Sequence, residues 1–94
     1  FIINGLKTTK GGIPRFDFAI FENNKLTKII EYDGILHFKP IKRFGGEKRF
    51  IDQKRIDSFK DQYCLDNNIK MIRILYTDLH KLDLNYLIDK IKNI

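Results

Sequence analysis

The sequence has a single cysteine, Cys64, no tryptophan and no long run of apolar residues. One cysteine excludes an internal disulfide and any zinc site built from several cysteines. No apolar stretch approaches the roughly 20 residues that a transmembrane helix requires, so a membrane is not an expected partner. These absences are typical of an intracellular protein, and we expect Cys64 to be a packed residue rather than a nucleophile.

The composition is that of one small globular domain. Of the 94 residues, 43% are hydrophobic and 32% are charged, and eight phenylalanines and four tyrosines supply much of the expected core. No repeat or linker divides the chain, so residues 1–94 are expected to form a single domain. Basic residues exceed acidic ones by six, and this balance favours an anionic partner such as nucleic acid.

The apolar pattern predicts the element order β-hairpin, helix, strand, helix. Ile56, Phe59 and Tyr63 form the apolar stripe of the first helix, and Asp83 is the expected N-cap of the second. The predicted segments are an edge strand over residues 1–6, a glycine-rich basic loop over 7–14, strands over 15–22 and 26–33 joined by a turn at 23–25, an irregular stretch over 34–46, a helix over 47–67, a strand over 70–76 and a helix after 83. Together they predict an α/β fold in which a small mixed β-sheet is flanked by helices.

Acidic residues cluster in the predicted hairpin, although the chain is basic. A three-residue turn would place Asp17 directly opposite Glu31, with Asp33 on the same face, whereas a two-residue turn would place Asp17 and Glu31 on opposite faces. Opposed like charges destabilise a sheet unless a cation lies between them, and Mg²⁺ binds through one or two carboxylates and phosphate oxygens. The alternative is that these side chains are solvated and that Arg15 pairs with Asp33.

His37 follows this cluster by four residues. Imidazole titrates near neutral pH, so His37 is a candidate general base or metal ligand, and the alternative is an ordinary surface histidine. His80 has no such neighbours and carries no expected role.

The segment 39–55 holds seven basic and two acidic residues, which leaves a local charge of +5. Phe38, Phe44 and Phe50 interleave with the basic side chains. Lysine and arginine neutralise phosphates, and exposed aromatics stack on bases, so this segment is a candidate DNA contact. The alternative is a solvated start of the helix with Phe50 in the core. The candidate DNA-binding residues are Lys39, Lys42, Arg43, Lys48, Arg49, Lys54 and Arg55.

Several of these residues form a combined pattern that resembles the very-short-patch-repair-like endonucleases. The pattern consists of Arg15-Phe16-Asp17-Phe18, then Glu31-Tyr32-Asp33-Gly34 with His37, then Asp57 with Lys60 and Asp61, and then the strand at 68–74. These enzymes are a branch of the PD-(D/E)XK nuclease superfamily, and the pattern is closest to phage-encoded homing endonucleases with an EDxHD motif. The resemblance implies a restriction-endonuclease-like fold.

The resemblance also implies roles for individual residues. Asp17 matches the metal-binding aspartate, and Glu31 and Asp33 fall in the (D/E)-x-K element, with Asp33 in the place of the lysine. His37 matches the motif histidine, and Asp57 matches the last aspartate, which orients His37 or a metal-bound water. An alternative for Asp57 is an i, i+3 ion pair with Lys60 on a solvated face. The family's first glutamate lies on a helix before the first strand and has no match here, so we expect that helix to lie upstream of this fragment or to be lacking.

The resulting hypothesis is a Mg²⁺-dependent endodeoxyribonuclease, with Mn²⁺ able to replace Mg²⁺ and double-stranded DNA as substrate. Its catalytic residues would be Asp17, Glu31, Asp33, His37 and Asp57, and its metal ligands would be Asp17, Glu31 and Asp33. Cleavage of both strands would call for a dimer or larger assembly. Two alternatives remain at this point, namely an inactive DNA-binding module on the same fold and a protein-interaction domain with acidic surface residues.

Overall fold

The computed structural model describes residues 1–81 and 83–92 of the chain. Three strands form one sheet in the order β1-β2-β3, with β1 at Phe18–Glu22, β2 at Lys25–Asp33 and β3 at Lys70–Leu75. Strands β1 and β2 are antiparallel, and β2 and β3 are parallel, so the sheet is mixed. Helix α1 (Gly46–Asp66) provides the crossover that a parallel pair needs, and helix α2 (Leu84–Lys92) follows β3. The predicted small mixed α/β fold and its element order are confirmed.

The two helices cover opposite faces of the sheet. On one face, Phe16 and Ile29 pack with Cys64 of α1 and with Ile69. The other face carries a second apolar cluster, in which residues of β2 and β3 pack against α2. Its members are Ile30, Ile72, Ile74, Tyr86, Leu87 and Ile91. No helix in residues 1–81 and 83–92 is long and apolar enough to cross a membrane.

The hairpin turn has two residues rather than the three that we predicted. Asn23 and Asn24 have φ values of 53° and 65°, and Glu22 pairs with Lys25. Asparagine tolerates this left-handed conformation, and two such residues fit the right-handed twist of a tight hairpin.

A β-bulge then restores the register that the three-residue turn would have given. Ile20 pairs with Lys28 but Phe21 pairs with Leu26, so one extra residue, Thr27, is inserted in β2. Beyond the bulge Phe18 pairs with Ile30, and one further step of this register would place Asp17 opposite Glu31. The ladder ends at Phe18, however, so Asp17 lies close to Glu31 without being its ladder partner.

The segment before β1 differs from its prediction. Residues 1–6 form no strand, because only Phe1 exchanges main-chain hydrogen bonds with Phe16 (2.7 and 2.8 Å), and the chain then turns at Gly5, whose φ is 80°. Strand β1 also begins at Phe18 and not at residue 15. The Asp17 carboxylate accepts the hydrogen bond of the Tyr32 N–H group, which the next step of the ladder would otherwise use.

The remaining boundaries agree with the predictions to within a residue or two. The irregular stretch at 34–46 contains two short 3₁₀ helices, Ile35–His37 and Lys42–Phe44. Helix α1 ends at the predicted asparagine pair, with Asn68 in the left-handed conformation at φ 58°. The Asp83 side chain caps α2 by accepting the hydrogen bond of the Tyr86 N–H group at 2.8 Å.

Candidate active site

Two carboxylates of β2 are buried beneath helix α1. Glu31 and Asp33 alternate along the strand with Ile30 and Tyr32, so both share the α1 face with Ile29, and each is only 3% exposed. Burying a charged carboxylate costs several kcal/mol unless partners offset the loss of water. The structure supplies a basic partner for each of them.

Lys60 of α1 is the partner of Glu31. Its Nζ atom donates a hydrogen bond to Glu31 Oε1 at 3.1 Å and another to the main-chain oxygen of Arg15, and it lies 5.1 Å from the centre of the Phe16 ring. Burial nevertheless raises the pKa of Glu31, because it outweighs the lowering by Lys60, and the nearby charge of Asp17 raises this pKa further. The uncharged form of Glu31 is therefore more favoured at this buried position than it is in water.

Asp17 lies at the exposed edge of the same cluster. Its Oδ2 atom accepts a hydrogen bond from the Tyr32 N–H group at 2.7 Å, which fixes the carboxylate beside β2. Its charge lies close enough to Glu31 to raise the pKa of that residue. Two neighbouring carboxylates, one exposed and one buried, thus occupy the end of the hairpin ladder.

Arg73 of β3 holds a second group of acids. This residue pairs with Glu31 in the parallel ladder, and its guanidinium donates to Asp33 Oδ1 at 2.8 Å and to Asp61 Oδ1 at 2.7 Å. Burial alone would lower the pKa of Arg73, but its hydrogen bonds to Asp61 and the charges of Asp33, Asp61 and Asp57 raise it. Arg73 is fixed as a cation that joins β2, β3 and α1, so Arg73, and not Arg15, pairs with Asp33.

His37 and Asp57 form a hydrogen-bonded pair beside these ion pairs. His37 Nδ1 lies 2.9 Å from Asp57 Oδ2 and 3.6 Å from Asp33 Oδ1, and Gln53 Nε2 donates to Asp57 Oδ1 at 3.0 Å. A carboxylate at Nδ1 favours the tautomer in which Nδ1 carries the proton, leaving Nε2 to accept one. The alternative for Asp57, an ion pair with Lys60 on a solvated face, is wrong because both side chains face the sheet and have other partners.

The sequence residues proposed as metal ligands lie near one another but are already engaged. Glu31 is bonded to Lys60, Asp33 to Arg73 and Asp17 to a main-chain N–H group. Within residues 1–81 and 83–92, no group of three or more histidine, cysteine, aspartate or glutamate side chains is arranged to hold a metal ion. Asp17 and Glu31 remain as two neighbouring carboxylates, and Mg²⁺ binds in proteins through as few as one or two carboxylates besides water and phosphate.

The basic residues at 39–55 lie mainly on the surface. Six of the seven candidate DNA-binding residues are exposed, and only Arg55 is partly buried. Phe38 and Phe44 are exposed as well, and Phe50 is half-buried. Lys54 Nζ lies about equally far from the rings of Phe38 and Phe50, at 5.5 and 5.4 Å. The segment thus presents cations and aromatic rings together.

Three site residues were missed by the sequence analysis: Gln53, Lys60 as the partner of Glu31, and Arg73. Two of them lie on the buried stripe of α1, whose members are Gln53, Asp57, Lys60 and Cys64. This i, i+4, i+7, i+11 spacing was visible in the sequence as a polar helical stripe. We instead expected Ile56, Phe59 and Tyr63 to face the sheet, but they are only half-buried.

Comparison with known proteins gives one relevant relative. Over 78 residues, the chain is 32% identical to "Uncharacterized protein 307L" of Invertebrate iridescent virus 6. The match includes 82% of this chain but only 39% of the viral protein, so the chain spans well under half of that protein's length. No protein-family model matches the sequence, and no solved structure matches it.

Proposed function

We propose that this chain is the catalytic domain of a Mg²⁺-dependent endonuclease that hydrolyses phosphodiester bonds in double-stranded DNA. The observation that carries the proposal is the His37–Asp57 pair, at 2.9 Å, beside the buried carboxylates of Glu31 and Asp33. Glu31, Asp33 and His37 are close in sequence, on β2 and the 3₁₀ helix that follows it, and the fold brings Asp57 of α1 to them from 20 residues beyond His37. These are also residues through which the sequence resembles the very-short-patch-repair-like nucleases.

His37 would act on protons in this proposal. Asp57 accepts the Nδ1 hydrogen and is itself held by Gln53, so the imidazole ring is oriented from one side. Its Nε2 atom would accept a proton from the attacking water. A positioned histidine of this kind contributes about 10²- to 10⁴-fold in rate.

Asp17 and Glu31 would hold the metal ion together with water and phosphate oxygens. Asp33, which the sequence suggested as a third ligand, is not arranged with them for this role and is bonded to Arg73 through Oδ1. Mg²⁺ in such a site lowers the pKa of a bound water and neutralises charge on the phosphate. Lys60 already lies against Glu31 and would help to neutralise the phosphate from the α1 side. The exposed basic residues at 39–55 would bind the DNA backbone.

The experiment that tests the proposal is nicking of supercoiled plasmid in the presence of Mg²⁺. His37→Ala should lower the nicking rate by about 100-fold or more. His80→Ala is the matched control, since His80 is exposed and lies outside the site, and it should nick at the wild-type rate. Equal nicking by the wild type and by His37→Ala would show that any activity comes from elsewhere.

A second candidate function is an inactive DNA-binding module on the same fold. The ion pairs of Glu31 with Lys60 and of Asp33 with Arg73 favour it, because they neutralise the carboxylates without a metal. This alternative predicts that Asp17→Ala leaves DNA affinity unchanged or improves it while the wild type nicks nothing.

Calorimetric titration of Mn²⁺ separates the two functions. A metal site predicts saturable binding that Asp17→Ala weakens at least tenfold and that Asp89→Ala, which removes an exposed carboxylate of α2, leaves intact. If both variants bind Mn²⁺ as the wild type does, Asp17 is not a ligand and the binding-module function is preferred. A protein-interaction domain would instead show no salt-dependent DNA binding at all.

A further inference from the structure

A cationic pocket lies between the glycine-rich loop at 7–14 and helix α1. Its volume is about 490 Å³, and five of its lining residues are basic, namely Lys10, Arg15, Arg49, Arg55 and Lys60. None of the lining residues is acidic. Only two of these five residues belong to the basic segment at 39–55, so the pocket is a separate concentration of positive charge.

Arg55 is the most informative residue of this pocket. Its Nε and Nη1 atoms are buried, and they have no hydrogen-bond partner among residues 1–81 and 83–92. A buried donor without a partner is costly, more so when it is charged, and such a group in a native protein calls for an explanation. Both atoms are closed to solvent, so a phosphate reaches them only when the Arg55 side chain turns toward the pocket that it lines. A planar guanidinium fork then matches the oxygens of a phosphate and would satisfy both atoms at once.

The other cations of the pocket are only partly neutralised. In the described part of the chain, Arg15, Arg49 and Arg55 form no ion pair, while Lys60 pairs with Glu31. Lys10 lies 4.0 Å from Asp52, a long and largely exposed pair that is worth little. The pocket therefore keeps a positive excess that an anion would offset.

The loop side of the pocket is pre-formed. Thr8 N donates to Gly12 O at 2.8 Å, and Gly12 N donates to Thr8 Oγ1 at 3.1 Å. Gly11 has a φ of 85°, which lets the chain reverse within this short turn. These bonds fix the main chain on either side of Lys10 at the turn opposite α1, so little ordering of the main chain is needed when a ligand binds.

The pocket shares a wall with the candidate active site. Gln53 and Lys60 line it, and the same side chains bond to Asp57 and Glu31 on the site side. A group bound in the pocket would therefore lie next to the residues proposed to cleave DNA.

We propose that this pocket binds a phosphate group through Arg55, Arg49, Arg15 and Lys10, and that the phosphate is one of the DNA backbone next to the one that is cleaved. The phosphate site stands on the pocket alone. Its assignment to the DNA backbone rests on the proposed function. A free phosphate or phosphate monoester has the same chemistry, and the two arms of the test distinguish these sources.

The first arm uses inorganic phosphate as the probe and measures the thermal unfolding of the full 94-residue chain at constant ionic strength. Phosphate at about ten times its dissociation constant should raise the Tm of the wild type by roughly 5–10 °C. Arg55→Gln should abolish this rise. Arg49→Gln, at an exposed position, should reduce it and guards against a folding defect in Arg55→Gln. Lys25→Gln removes one exposed charge outside the pocket and should keep the full rise.

The second arm measures binding of a short DNA duplex in EDTA as a function of salt. Arg55→Gln should weaken binding and lower the slope of log K against log salt by about 1, while Lys25→Gln should leave both unchanged. The slope reports the loss of one phosphate contact.

The outcomes separate the two parts of the proposal. Equal phosphate stabilisation of the wild type and Arg55→Gln, or none in either, overturns the phosphate site. A phosphate effect without any change in DNA binding for Arg55→Gln overturns the backbone assignment and leaves a free phosphate or a monoester as the ligand. If the wild type binds no DNA, the proposed function fails, and the first arm still decides whether the pocket binds phosphate.

Discussion

On the face of the sheet that packs against α2, the buried residues are Ile30, Ile72 and Ile74, whereas the face under α1 buries Glu31, Asp33, Gln53 and Lys60 beside its apolar residues. Both faces belong to the same strands, and β2 and β3 contribute alternate side chains to each. Apolar burial stabilises a fold at roughly 25 cal/mol per Å², while buried charges do little better than break even. The α2 face therefore contributes the greater stability for its buried area.

Stability alone does not explain the polar composition of the α1 face. A domain of this size has a small core, and a purely stabilising design would fill both faces with apolar side chains. The α1 face instead carries ion pairs, a histidine–aspartate pair and a raised glutamate pKa. Groups whose pKa is shifted by burial and a specific charge are typical of functional sites.

On the α1 face, the substitution that we expect to destabilise the protein most is Lys60→Met. This variant leaves Glu31 buried without its cation and removes the bond to the Arg15 carbonyl, so we expect a loss of about 3–5 kcal/mol in the free energy of unfolding at pH 7. The double variant Lys60→Met/Glu31→Leu should recover most of this loss. Urea unfolding measures both values, and a double variant no more stable than Lys60→Met would mean that the charge of Glu31 is not the cause.

On the α2 face, shortening a buried side chain should lower stability without affecting ligand binding. Ile72 is 4% exposed in the cluster under α2, so Ile72→Ala should cost about 2–4 kcal/mol through lost burial and the cavity left behind. Phosphate stabilisation and Mn²⁺ affinity should stay at wild-type values in the folded protein. A selective loss of either binding property at temperatures well below the Tm would show that the two faces are coupled.

The order of strands and helices could be predicted from the sequence, because the apolar periodicity and the turn residues agree with the fold. Asp83 and the Asn67-Asn68 pair marked helix ends correctly. The bulge at Thr27 could not be predicted, because nothing in the local sequence distinguishes one inserted residue from a longer turn. Residues 1–6 read as a strand from their apolar side chains, but within the described chain only Phe1 of this segment bonds to the main chain of another segment.

Prediction of the site failed where polar residues occupy core positions. The rule that apolar residues face the sheet selected Ile56, Phe59 and Tyr63, whereas Lys60 and Gln53 take the buried positions of α1. Arg73 alternates with Ile72 and Ile74 along β3, and its partners lie on two other segments, β2 and α1. The acidic cluster was visible from sequence, but the basic groups that neutralise it required the tertiary structure.

The smallest expected effect concerns the pH dependence that Glu31 gives to the polar face. Its folded pKa is raised above the ordinary value of 4.5, chiefly by burial, so ionising Glu31 favours the unfolded state. The stability that protonated Glu31 contributes is fully present below the ordinary pKa of 4.5 and is lost as the pH rises through the raised pKa. Glu31→Gln lacks this loss, so its stability relative to the wild type should increase with pH between the ordinary and the raised pKa, by about 1.4 kcal/mol for each pH unit that separates them. Urea unfolding of both proteins between about pH 4 and pH 7 measures the difference, since buffer and residual structure affect both alike. If the stability of Glu31→Gln relative to the wild type instead falls as the pH rises, Lys60 favours the ionised form of Glu31 more strongly than burial opposes it. The Glu31–Lys60 ion pair would then stabilise the fold.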